Sequence, residues 1–385
     1  MLYYVPLESY KERYTLQCSA PKTGWYERNW IKVGIPYTRI EGETSTEQRI
    51  KTGSVLDAVG RSIYSFSQIK QLLLLAERGE ITNNDVIFFD DFWTPGIEAL
   101  AYAFHLLEIQ PRMYAFLYAQ SVDEFDFTHP MRSWMRPIER GYGTILSGIF
   151  VCSSMLRDLV VLGGIAPYEK IHVVGLPFSS EEVRNRMPIS HLPKQNRVVF
   201  SSRWDKEKNP DFFLQVALEV LKSRQDIEFV VCTGAEKIRS NNDALLHYLR
   251  YCVSEYPDNI ILRENLSKEE YYIELCKSKI QMNTADQDWV SFTLLEATLA
   301  GCYPIYPYFR SFPETFEYQP GFMYERLNVE DASKFLLSVI DQEELWSEEE
   351  IQNRSWIYRR FDSSWLRMAY LMGLTKEKAN DLYEE

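Results

Sequence analysis

Short apolar runs alternate with helix-length periodic segments along most of the chain, the pattern of α/β domains built on parallel sheets. In the first half, Leu2–Pro6, Val86–Phe89, Tyr114–Tyr118, Ile149–Cys152 and Ile171–Val174 predict strands. Between them, Ser65–Arg78 places Ile69, Leu72, Leu73 and Ala76 on one helical face. Gly96–Leu107 predicts a second helix behind Thr94-Pro95, and a third starts at Ser153. Residues 179–195 are polar, proline-bearing and weakly periodic, as an interdomain linker is. The pattern then restarts. Strands at Arg197–Phe200, Glu228–Cys232, Ile260–Leu262, Ile280–Asn283 and Tyr303–Tyr306 alternate with helices at Pro210–Lys222, Asp243–Ser254, Glu269–Lys277 and Thr293–Ala300. The expectation is two Rossmann-like doubly wound domains, 1–180 and 195–355, facing a cleft. A C-terminal helical segment, 356–385, completes the first, through the apolar face of Trp365, Met368 and Leu371/Met372. Ligands of such sheets bind outside the carboxyl ends of the strands.

Composition narrows the class. A chain of 385 residues with 45% hydrophobic and 25% charged residues buries a core without disulfide staples. The six cysteines lack CxxC or Cys/His spacing and several fall in apolar runs, which predicts buried free thiols in a reducing compartment. The first residues lack a basic segment followed by an apolar run, and no stretch approaches the roughly 18 consecutive apolar residues of a membrane span, so a cytoplasmic protein is expected. The net charge of −13 is uneven. Residues 1–180 carry 17 Lys/Arg against 20 Asp/Glu, and residues 181–385 carry 25 against 35. That total argues against tight non-specific nucleic-acid binding, while the nearly balanced first half leaves room for a local basic strip.

The segment Asp288-Trp-Val-Ser-Phe-Thr-Leu-Leu-Glu296-Ala-Thr-Leu-Ala-Gly301-Cys-Tyr-Pro304 carries the strongest chemical signal. Two carboxylates bracket a loop that becomes a helix near Thr293. A helix start offers N–H groups and the positive end of a dipole to a phosphate. The carboxylate one turn inside can accept hydrogen bonds from ribose hydroxyls, and the one on the loop can reach a sugar hydroxyl. Upstream, Ser201-Ser-Arg203-Trp-Asp-Lys-Glu-Lys208-Asn-Pro210 places a guanidinium and an ammonium after the first strand of the second half. Such a pair suits a diphosphate.

These segments resemble the retaining GT-B glycosyltransferases, whose E-x7-E signature runs carboxylate-G-F-G-L-T-L-L-E-A-x-A-x-G-x-P and whose G-R-x-x-x-x-K segment precedes it. The resemblance covers roughly residues 150–310. It implies that Arg203 and Lys208 grip the donor diphosphate, that Asp288 holds the donor sugar and Glu296 the ribose. Ser291, Phe292 and Thr293 supply backbone donors, and Cys232-Thr-Gly234 matches the family's small-residue turn. Asp288 stands for the first Glu, and Trp289 and Ser291 stand where the family has glycines. The resemblance further implies retention of configuration, no cofactor and no metal, with a nucleoside-diphosphate sugar, UDP-linked, as co-substrate; Asp90-Asp91 is not an Asp-x-Asp.

The first half matches the family pattern poorly. Its opening, Tyr4-Val-Pro-Leu-Glu-Ser-Tyr-Lys-Glu-Arg-Tyr-Thr, and the segment Phe88-Phe-Asp90-Asp91-Phe-Trp93-Thr-Pro-Gly96 are similar to bacteriophage glycosyltransferases, some of which modify hydroxymethylated pyrimidines in DNA. That likeness implies hydroxymethylcytosine, or another hydroxymethylpyrimidine, in double-stranded phage DNA as acceptor, in a host cytoplasm. Asp90 and Asp91, at a strand's carboxyl end, are candidates to orient the acceptor hydroxyl, or one of them caps the next helix. Trp93 either stacks on a base or sugar ring or packs in the core. Gln120, Ser121 and Asp123 follow the next strand and are candidate acceptor contacts. Arg132, Arg136 and Arg140, at i, i+4 and i+8, make a stripe that is either solvated or a phosphate-backbone contact. Two further readings stand beside the DNA acceptor: a transferase acting on a polysaccharide or small molecule, and a catalytically silent nucleotide-sugar-binding module.

Overall fold

The computed structural model describes residues 1–9, 14–44, 58–118, 121–126, 128–188 and 192–376. The chain divides into two units, Met1–Pro177 together with the chain from Ser363 onward, and Phe178–Asp362. The first unit holds β1 (Leu2–Val5), β2 (Tyr37–Arg39), β3 (Val86–Phe89), β4 (Arg112–Phe116), β5 (Gly148–Val151) and β6 (Ile171–Val173), in the order β2-β1-β3-β4-β5-β6. The second holds β7 (Gln195–Phe200), β8 (Glu228–Cys232), β9 (Ile260–Arg263), β10 (Ser278–Met282), β11 (Tyr303–Pro307) and β12 (Met323–Tyr324), in the order β12-β11-β10-β7-β8-β9. Every pairing is parallel.

Parallel strands covered by helices on both faces need apolar side chains in both directions. Val86–Phe89 is accordingly buried at every residue, as is Tyr303–Pro307. The helix Pro210–Leu221 packs on the second sheet through Phe213, whose ring meets Phe200 and Phe229, and its Leu214, Val216 and Ala217 are likewise fully buried. Each such Phe or Leu contributes about 1.5–3 kcal/mol. The helix starts where Pro210 takes the first helical position behind Asn209, which sits at φ 46°.

The order in the second unit reverses at β7/β10, and in the first at β1/β3. Loops leaving the carboxyl ends of the two strands at such a reversal run in opposite directions and open a crevice for ligands. In the second unit the flanking loops are 201–209 and 283–291; in the first they include residues 6–9 and 90–95.

Three boundaries differ from the sequence expectation. Residues 180–186 form a helix, not a linker: Ser179 Oγ accepts from Glu182 N at 3.2 Å, and Ser180 N donates to Asp362 at 2.7 Å. The unit boundary falls instead at Pro177/Phe178. The C-terminal segment divides, so Trp356–Asp362 belongs to the second unit and only the chain from Ser363 joins the first. There the helix Ser364–Leu371 is tied down by Arg367, which donates to Val174 O at 2.8 Å, and by Tyr114 OH, which donates to Leu371 O at 3.3 Å. The helix Trp25–Val33 and the short strands β2 and β12 are additional to those expected.

Candidate functional site

In the second unit the two loops at β7/β10 are bonded to each other. Asp286 N donates to Glu207 O at 2.9 Å, Asn209 Nδ2 to Thr284 O at 3.0 Å, and Thr284 Oγ1 to Lys208 O at 2.6 Å. That zipper sets Lys208 against Asp288. The ammonium is 3.0 Å from Asp288 Oδ1 and also donates to the Gln287 carbonyl. The Lys208 side chain is 7% exposed and that of Asp288 21%. Asp288 Oδ2 accepts from Asn283 Nδ2 at 3.3 Å, so the carboxylate is held from two sides yet stays open to solvent. Arg203, on the loop with Lys208, is 42% exposed and pairs with Asp205 and Glu207, both at 2.7 Å.

The helix expected to start at Thr293 runs Phe292–Leu299. Its N-cap, Ser291, makes no capping bond; its hydroxyl is shared with Thr293 Oγ1 at 2.8 Å. No capping side chain from Ser291 therefore competes with an anion at this end of the dipole. Glu296, one turn further, is buried, and its Oε1 accepts from Lys268 Nζ at 2.7 Å and Tyr272 OH at 3.0 Å. The adjacent Tyr271 donates to Ser201 Oγ at 3.2 Å, linking the helix Lys268–Lys277 to the loop after β7. Gly234 lies where the turns after β8 and β9 meet: Asn265 N donates to Ala235 O at 2.8 Å, and a Cβ on Gly234 would lie 3.3 Å from Leu266 O. Lys268, Tyr272 and Asn283 were not singled out by sequence reasoning. Ser267 and Glu270, which form a capping box, carry a local signal for the helix start at Lys268, but nothing local points to its partner.

In the first unit Asp90 follows β3 directly and is fully buried. Ser19 Oγ donates to it at 2.6 Å, Tyr4 OH at 3.2 Å and Tyr118 OH at 3.3 Å, and burial pushes its carboxyl up to about 6. Both of its oxygens are engaged by these hydroxyls inside the core, so Asp90 braces the end of the strand rather than reaching an acceptor, which corrects the expected direct contact. Asp91 accepts from Arg61 at 2.9 Å and from Trp93 N at 3.0 Å, so it builds the turn rather than capping the next helix. The N-cap of that helix is Gly96. Trp93 is half-buried; its indole N–H donates to Glu139 at 3.1 Å. Glu139 also accepts from Ser121 N at 2.8 Å and from the Ser121 hydroxyl. This buried Glu139 was not singled out from the sequence, and it fixes two of the acceptor candidates at once. Asp123 is buried and accepts from Phe125 N at 3.0 Å; Gln120 lies outside the described residues.

The arginine stripe lies on the helix Arg132–Ile145 and is not uniform. Arg132 and Arg140 are exposed and reach backbone carbonyls of His129 and Gly163, each at 3.3 Å. Arg136 is half-buried, with its Nε sealed from solvent and unpartnered. Among the described residues no group of three or more His, Cys, Asp or Glu side chains is arranged to hold a metal ion, and no helix is long and apolar enough to cross a membrane.

Solved structures share this architecture. HepE from Anabaena, in complex with UDP and glucose, matches with a TM-score of 0.62 at 10% identity, over 97% of this chain and 99% of that one. Sucrose-phosphate synthase from Thermosynechococcus elongatus matches at 0.64 and 9% identity, over 96% and 97%. TarM of S. aureus matches at 0.61 and 14% identity, over 80% of this chain and 58% of its own. The fold is GT-B. Among curated proteins, the tRNA-queuosine alpha-mannosyltransferase of Drosophila melanogaster is 24% identical over 149 residues, which is 39% of this chain and 38% of that protein. This chain thus matches less than two thirds of that relative and of TarM. No protein-family model matches it. Within the GT-B frame, the β7/β10 reversal of the second unit is the candidate donor site.

Proposed function

We propose that the chain is a retaining glycosyltransferase that moves a sugar from a nucleoside-diphosphate donor, UDP-linked, to a hydroxyl on a modified base of a polynucleotide. The observation that carries the donor half is the Lys208–Asp288 pair across the strand-order reversal, with Glu296 in the helix that follows. Lys208 and Arg203 take the diphosphate beside the start of the helix Phe292–Leu299, Asp288 takes a sugar hydroxyl, and Glu296 the ribose. Gly234 and the backbone of Ser291, Phe292 and Thr293 complete the donor contacts. In transfer, the bond from the sugar's anomeric carbon to the phosphate oxygen breaks and the acceptor oxygen bonds to that carbon on the same face. The acceptor proton passes to the departing phosphate. The negative charge that develops there is met by fixed cations and helix N–H groups. HepE, solved with UDP and glucose, supports a UDP-linked donor.

For the acceptor, hydroxymethylcytosine of DNA is the leading substrate. The curated relative bears on the wider class, a modified base of a polynucleotide, because its name describes mannose transfer to queuosine of tRNA; it does not favour DNA over RNA. Trp93 and Ser121, held by Glu139, and the exposed Arg132 and Arg140 are the acceptor-side groups of this reading. The test incubates the protein with UDP-, GDP- and ADP-linked sugars and three acceptors: hydroxymethylcytosine DNA, unmodified DNA and tRNA. Transfer to the first alone is expected. Transfer to tRNA alone overturns the DNA assignment, and neither transfer to any acceptor nor hydrolysis of any donor overturns the enzyme reading in favour of a silent binding module.

A further inference from the structure

We propose that Lys268 is a nucleotide-recognition residue, which reads the nucleoside half of the donor and favours a base with a carbonyl edge. This rests on the donor site proposed above. Lys268 opens the helix Lys268–Lys277, behind the turn that leaves β9. Its ammonium bonds Glu296 Oε1 at 2.7 Å and lies over the rings of Tyr271 and Tyr272, at 5.0 and 5.2 Å from their centroids. Glu296 is 2% exposed, whereas the Lys268 side chain is 41% exposed. The lysine is therefore the accessible face of a buried carboxylate.

Direction follows from topology. With the phosphates at Arg203, Lys208 and the start of the helix Phe292–Leu299, a ribose at Glu296 points its base toward β8 and β9. Both hydroxyl and ammonium partners of Glu296, Tyr272 and Lys268, come from the helix that follows β9. The turns after β8 and β9 are bonded together there, with Leu266 N donating to Thr233 O at 3.2 Å. An ammonium carries three donors and no acceptor. One donor engages Glu296, and the side chain's exposure leaves room for the others to meet a ligand. They can meet only acceptors, such as ribose oxygens and the carbonyl oxygens of uracil or guanine. Adenine turns an amino donor where those bases carry a carbonyl. The two aromatic rings beside the ammonium restrain it, which lowers the entropy lost on contact.

Calorimetry on the full chain with UDP, UMP and ADP tests this, comparing wild type with Lys268→Met and Lys268→Arg. Lys268→Met is expected to weaken UDP and UMP by the same factor, about tenfold to fiftyfold for a charged hydrogen bond, and to narrow the preference for UDP over ADP. Lys268→Arg, which keeps the charge, is expected to fall between. Arg203→Ala is the contrast, because it should weaken UDP more than UMP. Wild-type UDP affinity in Lys268→Met overturns the proposal. So does a UDP loss that exceeds the UMP loss, which assigns the lysine to phosphate, or an unchanged UDP/ADP ratio, which leaves it a support for Glu296. If Lys268→Met fails to melt cooperatively, Lys268→Gln replaces it in the same comparison. Wild type that binds none of UDP, GDP or ADP overturns the donor site itself, a result distinct from those three.

Discussion

Replacing Lys208 by Met keeps the length of the side chain and removes its charge, at a position where stability and donor binding are predicted to fall together. The Lys208 side chain is 7% exposed, and its ammonium bonds both Asp288 Oδ1, at 3.0 Å, and the Gln287 carbonyl. Breaking a fully buried pair by removing one partner costs about 3–5 kcal/mol. Asp288 is 21% exposed and keeps Asn283 at 3.3 Å, so part of its charge is solvated when the lysine goes. The cost then drops to about 1–3 kcal/mol, the range for an unmet buried hydrogen-bonding group. On the proposed donor reading the same ammonium faces a diphosphate, and its loss is expected to lower affinity about tenfold to a hundredfold. Urea unfolding and calorimetry with UDP read the two effects separately. Loss of stability with unchanged UDP affinity would refute the reasoning, because Lys208 would then only brace the loop. Arg203→Ala gives the opposite balance: at 42% exposure its ion pairs stabilise by under about 1 kcal/mol, so affinity falls while the urea midpoint barely moves.

Asp90 makes a pH prediction. Its folded value of about 6 exceeds the ordinary 3.8 because it is buried, so between those values the folded state keeps a proton that the unfolded chain has released, and stability falls as pH rises through that window. Asp90→Asn should remove roughly 3 kcal/mol of that fall between pH 4 and pH 7; urea curves with the wild-type pH slope would exclude it. For the acceptor surface, Arg132→Glu combined with Arg140→Glu should lower DNA glycosylation and flatten its salt dependence while UDP affinity holds. Arg136 is left intact as a fold-preserving choice, since its Nε is buried. Full DNA activity in that double variant would remove the stripe from acceptor binding.

The groups at the β7/β10 reversal were legible as a cluster because their signal is local. Asp288, the helix start and Glu296 lie within nine consecutive residues, and Pro210 and Gly301 mark a helix start and end in the sequence itself. The partners of these groups were not legible. Lys268 meets Glu296 across 28 positions, Ser19 meets Asp90 across 71 and Tyr4 meets Asp90 across 86. Periodicity carries no information about such pairs; the sheet order creates them. Glu139 was hidden for another reason. It lies among Arg132, Arg136 and Arg140 on a helix that reads as charged and solvated, yet it is the acid turned inward toward Trp93 and Ser121. The strands β2 and β12 have three and two residues, too short for an alternation to register. The helix Trp25–Val33 packs through Trp25, Tyr26 and Trp30, and its C-terminal signal is Gly34, at φ 72°.

The departures at Trp289 and Ser291 bear on whether the donor loop can work at all. A glycine is indispensable in a loop only where the backbone takes a positive φ or where a Cβ would collide. Residues 288–293 have no positive φ, and Ser291 sits at φ −91° in ordinary extended backbone. The path from Asp288 into the helix therefore does not require glycine's conformational freedom. The Trp289 side chain is accommodated by packing: it is buried, the Arg310 guanidinium lies 4.2 Å from its ring centroid, and the Ser311 hydroxyl donates to its carbonyl. Arg310 itself takes φ 54°, so the unusual backbone conformation lies in the supporting loop after β11 rather than in the carboxylate loop. The backbone path without those glycines thus gives no ground for reading the site as silent, and the choice between enzyme and binding module turns on whether donor is consumed.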